Sequence, residues 1–298
     1  MTHLRTLLAA TDLSAPARRA AARAALLAAE QGARLALAHV LSVGALDSLR
    51  QLLAADPSGL HQRLLDEVRE ELERLAAELQ QRYGIGAEVH LVIGAVLAEI
   101  AGRADAIDAD LIVIGARGAG FMRELLLGST TERLLRTLSR PVLVVKEMPH
   151  EPYRRVLVPV DFSPRAADAL RLATAVAPQA EIVLLHAFEV PFEGKLRYAG
   201  VADDALAGLR IDARREATQR MNELVRQESL GDRPLRRIVV HGEASGQILE
   251  LEQEQDCDLI VIGKHGQGAL EELLLGSVTQ HVLARSTCDV LVADRPPG

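Results

Sequence analysis

Short runs of wholly apolar residues alternate along the chain with longer stretches of helical period. In the first half, residues 4–10, 33–40, 87–93, 111–115 and 141–146 are the apolar runs, and each predicts a strand. Between them, the Ala-rich stretch 15–30 and the stretch 96–107 predict helices. Leu60, Leu64, Leu65, Val68, Leu72, Leu75 and Leu79 recur at i, i+4, i+7 spacing and mark one face of a long helix. Strands that are apolar throughout, each followed by a helix, imply a parallel sheet covered on both faces. The predicted fold class is α/β, a five-stranded, doubly wound, Rossmann-like domain.

The pattern then occurs a second time. Leu111-Ile-Val-Ile-Gly-Ala-Arg-Gly118 returns as Leu259-Ile-Val-Ile-Gly-Lys-His-Gly266, and Glu124-Leu-Leu-Leu-Gly-Ser129 returns as Glu272-Leu-Leu-Leu-Gly-Ser277. Both pairs share one offset of 148 residues, and Asp12 and Asp161 near the start of each half differ by 149. Pro149 and Pro152 interrupt any helix or central strand at the join. The predicted domains are residues 1–148 and 153–298, each large enough to bury a core.

Composition narrows the function classes. Aromatic residues are only 2% with no Trp, so the cores are aliphatic and stacking platforms for single-stranded nucleic acid are absent. The net charge of −7 disfavours a general binder of phosphate backbones, and neither half is basic. No apolar run approaches the ~20 residues that span a bilayer. Residues 4–10 are followed by Asp12, Arg18 and Arg19, the wrong order for a secretory signal. Two cysteines, Cys257 and Cys288, suffice for neither a disulfide framework nor a zinc site. The expected setting is a reducing cytoplasm. Each cysteine directly precedes the Asp that opens a predicted strand, which would bring the two onto neighbouring strands; inert buried thiols are the simpler expectation.

Doubly wound sheets bind ligands beyond the carboxyl ends of their strands, where the winding reverses. At the fourth strand end both halves carry one glycine spacing, Gly115-x2-Gly118-x9-Gly128-Ser129 and Gly263-x2-Gly266-x9-Gly276-Ser277. Glycine lets backbone N–H groups approach a ligand closely. The motif then opens a helix at Ser129-Thr130-Thr131 and Ser277-Val278-Thr279, where unpaired amides attract an anion. Phosphate binding is the functional reading; turn and cap glycines are the structural one. Asp12 and Asp161 end the first strand of each half. There a carboxylate can accept hydrogen bonds from ribose hydroxyls or an amino group, or can support the turn while Ser14 and Ser163 cap the next helix.

Together, the glycine spacing, Asp-x-Ser after strand one, the His39 and His186 strand ends and the closing Pro-Val-Leu-Val-Val strand resemble the universal stress protein family, in tandem over essentially the whole chain. The resemblance implies the ATP-binding branch, marked by G-2x-G-9x-G-[ST]. It implies that Thr11 and Asp12 line the adenosine end and that the Val40 backbone reads the adenine edge. Gly115, Arg117 and Gly118 would then lie along ribose and phosphates, with Gly128, Ser129, Thr130 and Thr131 holding the phosphates. The matching second-half positions are Val160, Asp161, Ala187, Gly263, His265, Gly266, Gly276, Ser277, Val278 and Thr279. Val160 and Val278 depart from the hydroxyl pattern, so the two pockets are expected to differ. The resemblance also implies antiparallel pairing of the two closing strands, and leaves room for a homodimer of chains.

Catalytic signatures are missing. None of Lys146, Lys195 and Lys264 sits in G-x4-G-K-[ST], which excludes a Walker-type NTPase. No Ser/His/Asp order and no histidine–carboxylate metal cluster stands out, although Mg2+ could ride on the phosphates of ATP. The expectation is a non-enzymatic binder of adenine nucleotide, a stress-response regulator acting through nucleotide-dependent conformation or partner contacts. The alternatives are a slow ATPase or phosphotransferase using the same pocket, and a nucleotide-free scaffold.

Overall fold

The computed structural model describes residues 3–44, 57–118, 127–228, 230, 233–266 and 275–294, with residues 57–61 as backbone only. The chain divides into two compact units between Pro152 and Tyr153.

In the first unit the order is β1 (Thr6–Ala10), α1 (Ala15–Gln31), β2 (Arg34–Ser42), α2 (Pro57–Tyr83), β3 (Ala87–Gly94), α3 (Val96–Ala106), β4 (Leu111–Gly115), α4 (Ser129–Thr137) and β5 (Val142–Val145). Its strands lie side by side as β3-β2-β1-β4-β5, all parallel. The chain steps outward from β1 to β3, then returns to the other side of β1. The winding therefore reverses between β1 and β4, opening a crevice at their carboxyl ends.

Local sequence accounts for these elements. Leu7, Leu8, Ile112, Val113, Leu143 and Val144 are wholly buried, as central parallel strands require. Helix α1 is capped by the Ser14 hydroxyl, carries Pro16 in its first turn and ends at Gly32, whose φ of 65° lets its N–H reach the Ala28 carbonyl. Its buried face is almost entirely alanine (Ala20, Ala21, Ala24, Ala25 and Ala28), which lets the helix lie close against β1 and β4. A β-carbon on Gly115 would sit 3.0 Å from the Pro16 carbonyl, so that approach requires glycine. Helix α2 buries Leu72, Leu75 and Leu79.

The second unit repeats the plan with β6 (Arg155–Pro159), α5 (Pro164–Val176), β7 (Glu181–Phe188), α6 (Glu193–Tyr198), α7 (Asp203–Gln227), β8 (Leu235–His241), α8 (Ala244–Glu254), β9 (Leu259–Gly263), α9 (Ser277–Arg285) and β10 (Asp289–Ala293). Its strands lie in the order β8-β7-β6-β9-β10, again parallel. One clamp recurs in both units. Asp110 accepts from the N–H of Arg5 and Thr6 at 2.7 and 3.0 Å, and Asp258 from Arg154 and Arg155 at 2.7 and 3.1 Å. Each carboxylate ties the start of the first strand to the start of the fourth.

Strand limits differ slightly from the predicted ones. β1 begins at Thr6 rather than at residue 4, and β2 runs on to Ser42 because its pairing with β3 continues as far as Ser42 opposite Gly94. Pro141 lies outside β5: it has no N–H, and joins the sheet only through its carbonyl, which accepts from Ile112. Among the described residues no helix is long and apolar enough to cross a membrane. Both cysteines are buried free thiols, and burial pushes the Cys257 thiol up to about 12.

Candidate functional site

Each unit has a cavity at its strand-switch crevice. The first, about 570 Å³, is lined by all ten of the singled-out first-half residues: Thr11, Asp12, Val40, Gly115, Arg117, Gly118, Gly128, Ser129, Thr130 and Thr131. The second, about 440 Å³, is lined by the ten equivalents: Val160, Asp161, Ala187, Gly263, His265, Gly266, Gly276, Ser277, Val278 and Thr279. Sequence positions more than a hundred residues apart thus converge on one wall in each unit.

Construction starts at the turn after the first strand. Asp12 Oδ1 accepts from the Ser14 N–H at 3.1 Å and from the Ser14 hydroxyl; Asp161 Oδ1 does the same with Ser163 at 3.0 and 2.6 Å. The residue between is forced into the left-handed region, Leu13 at φ 64° and Phe162 at φ 61°, conformations costly for side chains of this size. This turn aims the Asp carboxylate at the glycine loop: a β-carbon on Gly118 would meet Asp12 Oδ2 at 2.7 Å. Ser14 and Ser163 cap α1 and α5, so the carboxylates support the turn rather than the helix.

The histidines at the second strand ends have a positional task. Nδ1 of His39 lies 2.8 Å from the Thr11 carbonyl, and Nδ1 of His186 lies 2.8 Å from the Val160 carbonyl. A carbonyl only accepts, so each Nδ1 carries the proton and donates. Burial lowers the pKa of His186, against the opposing pull of that hydrogen bond, so its imidazole is neutral near pH 7.

The glycine loop is clasped to the fourth strand. Gly128 N–H donates to the Ala116 carbonyl and Gly276 N–H to the Lys264 carbonyl, both at 2.9 Å. Thr131 and Thr279 hydroxyls donate to the Gly115 and Gly263 carbonyls at 3.0 and 2.8 Å. These two hydroxyl protons are thereby committed to the fold, and a phosphate would meet the backbone N–H groups of these residues instead. The helix N-caps are Gly128 and Gly276, without side-chain caps. The first backbone bonds inside the helices run from Glu132 and Gln280 back to those glycines. The N–H groups of Ser129–Thr131 and Ser277–Thr279 precede them without a bond inside the helix, at the positive end of its dipole, and these residues line the cavities.

Some wall residues were not singled out from the sequence. Val96 and Ile100 of α3 close the first cavity, and Ala244 and Ile248 of α8 close the second. Their i, i+4 spacing was the available signal. Beside the second cavity, the Phe162 ring stacks on His186 at 4.3 Å and carries the Arg220 guanidinium at 4.5 Å, an arrangement no local pattern announces. Lys264 is buried and its ammonium lies 2.8 Å from Asp294. Among the described residues no group of three or more His, Cys, Asp or Glu side chains could hold a metal ion.

Comparison with known proteins agrees with this duplicated architecture. The model of the universal stress protein family matches the chain twice, over residues 3–146 and 152–294. Universal stress protein Rv2005c of Mycobacterium tuberculosis is 31% identical over 195 residues, 62% of this chain and 62% of that protein. The match thus spans less than two thirds of the mycobacterial relative's length. Universal stress protein MJ0577 of Methanocaldococcus jannaschii is 30% identical over 156 residues, 48% of this chain and 96% of that protein. A solved universal stress protein from Archaeoglobus fulgidus shares the fold, with a TM-score of 0.66 at 23% identity over 98% of both chains. Two family matches that together cover nearly all of the chain, one on each unit, establish that it belongs to the universal stress protein family.

Proposed function

We propose that the protein binds adenine nucleotide, ATP foremost, in these two cavities and acts as a stress-response regulator through nucleotide-dependent conformation or partner contacts. The observation that carries this reading is the convergence of two sets of ten residues on two cavities. Each is lined by a carboxylate and by a helix start whose first N–H groups have no bond within the helix. The adenosine would lie against Asp12 and Val40, or Asp161 and Ala187. The phosphates would lie on the amides of Ser129–Thr131 or Ser277–Thr279. Mg2+ would be carried by the phosphates themselves.

A regulatory binder suits the chemistry better than a catalyst. The two histidines nearest the adenosine end each have one ring nitrogen engaged with a strand-end carbonyl. General-base catalysis requires a base positioned at an attacking water, and these imidazoles are instead held as struts of the turn. Occupancy would then act by differential affinity for two conformations of the loops around the ligand. The reading also places the chain in the cytoplasm, in keeping with its two free thiols.

The test is direct. Freshly purified protein is denatured and the released small molecules are separated by chromatography; ATP is then added to emptied protein and followed for hours. Bound, unconverted adenine nucleotide is expected. ADP accumulating faster than with Ser129→Glu/Ser277→Glu protein would establish the hydrolytic reading instead. No released nucleotide and no titratable binding would overturn the proposal.

A further inference from the structure

The repeat places equivalent positions around both cavities, yet the side chains there differ in a consistent direction. Arg117, Ser129 and Thr130 are among the residues that line the first cavity. At the second stand His265, Ser277 and the apolar Val278. The described lining of the second cavity contains no Lys or Arg, and it keeps the carboxylate of Asp161. Lys264 is the nearby cation by sequence. Its side chain is only 5% exposed, and its ammonium is paired with Asp294 rather than presented to the cavity. A polyphosphate entering there would meet a described lining that keeps its carboxylate, as the first cavity does, but offers neither Lys nor Arg, a costlier burial.

The adenosine end differs in the opposite direction. His186 lines the second cavity, kept neutral by burial, with the Phe162 ring stacked on it and Arg220 on that ring. The equivalent position to Phe162 in the first unit is Leu13, which offers no ring. Val160 replaces Thr11, making that wall more apolar. The second cavity is also smaller, about 440 Å³ against 570 Å³.

From these differences we infer that the units divide the labour: the first cavity is a polyphosphate site, and the second selects an adenine compound of lower charge, a nucleoside or nucleoside monophosphate, held chiefly through its base. This rests on the reading of both cavities as adenine-nucleotide sites. The full chain would then report the ratio of charged to spent adenine compounds, because each unit answers to a different member of the pool.

The experiment is isothermal titration of the full chain with ATP, AMP and adenosine, in wild type, Ser129→Glu, Ser277→Glu and the double variant Arg117→His/Thr130→Val. Glutamate at the first helical position favours the helix while repelling phosphate, so each single variant keeps its fold and excludes polyphosphate from one site without barring uncharged adenosine. In Ser129→Glu, ATP binding is expected to weaken at least tenfold, the scale of a charge-assisted contact, while adenosine binding holds. In Ser277→Glu, ATP is expected to bind as tightly as to wild type, and adenosine binding again holds. The double variant gives the first cavity the second's side chains, and should erase most of its preference for ATP. Equal ATP preference in the two single variants would overturn the division of labour while leaving nucleotide binding intact. Absence of any binding to wild type would overturn the underlying reading, and this inference with it.

Discussion

The repeat supplies an internal control for how closely the first helix approaches the fourth strand. Gly115 and Gly263 end β4 and β9 at equivalent positions, and neither has a left-handed φ, so alanine is conformationally allowed at both. The surroundings differ. A β-carbon on Gly115 would lie 3.0 Å from the carbonyl carbon and oxygen of Pro16 and 3.2 Å from the Ala17 nitrogen, all backbone of the first turn of α1. On Gly263 the nearest atoms would be the His265 carbonyl at 3.4 Å and the Arg165 β-carbon at 3.8 Å, ordinary contacts. Replacing Gly by Ala removes unfolded-state freedom and stabilises by about 0.4–1 kcal/mol. Overpacking against a backbone that can yield only by moving a capped helix costs about 1–3 kcal/mol. Gly115→Ala should therefore destabilise the first unit by roughly 1–2 kcal/mol, whereas Gly263→Ala should range from neutral to slightly stabilising.

One melting temperature would blend the responses of the two units. Native-state hydrogen exchange read by mass spectrometry separates them. Protection of Ile112–Ile114 amides should fall by about tenfold or more in Gly115→Ala, since each 1.4 kcal/mol is a factor of ten. Protection of Ile260–Ile262 amides in Gly263→Ala should hold or rise. Equal losses in the two units would refute the argument, because they would show that the 3.0 Å approach in the first unit carries no energetic consequence.

Three further outcomes follow from single groups. Glu252 is 3% exposed, and its Oε1 accepts from the Thr287 N–H, the Thr287 hydroxyl and the Cys288 N–H at 2.7–2.8 Å. Glu252→Ala should cost about 3 kcal/mol or more in urea unfolding of the second unit and Glu252→Gln clearly less; equal losses would count against a hydrogen-bonding role. Glu243 caps α8, and its carboxyl is held below the ordinary 4.5, first by the Ser245 N–H and against burial, then by the Gly246 N–H, the Ser245 hydroxyl and the charge of His281. A depressed folded pKa adds stability above 4.5 that fades as pH falls through the folded value. Glu243→Ala should therefore cost about 1 kcal/mol at pH 7, and the gap from wild type should narrow below pH 4.5; a gap unchanged to pH 3 would contradict the assignment. Cys257, raised from 9.0 to about 12 by burial, should react with iodoacetamide at pH 8 about a thousandfold more slowly in native than in denatured protein by peptide mass spectrometry. The same shift makes stability fall as pH rises from 9 toward 12, since the unfolded thiol ionises first; Cys257→Ala should flatten that fall.

The sheet was readable because parallel strands buried on both faces appear as unbroken apolar runs, and β4 begins and ends at the predicted residues. The cavity walls were readable because the winding rule assigns strand ends to ligands, and the glycine spacing sits at one such end. What escaped depends on partners far away in sequence. Nothing near Lys264 announces Asp294, and nothing near Phe162 announces Arg220, 58 residues on. The threonine hydroxyls show the limit most clearly. In sequence Thr131 looks like a phosphate ligand beside Thr130, but its proton goes to a carbonyl 16 residues back.

That last distinction can be drawn inside the chain itself. Four side-chain bonds within the scaffold are held by the same residue in both halves: Asp12 and Asp161 on Ser14 and Ser163, His39 and His186 on the strand-end carbonyl, Thr131 and Thr279 on the glycine carbonyl, Asp110 and Asp258 on the first strand. Where the halves differ along the cavity walls, at Arg117 and His265 and at Thr130 and Val278, the positions take part in none of these shared bonds. Thr11 is the intermediate case: its oxygen accepts from the Leu13 N–H at 3.0 Å, while Val160 manages the same turn without it. Under the proposed nucleotide reading the divergent positions are the ones to mutate first, since exchanging them between halves should move ligand preference.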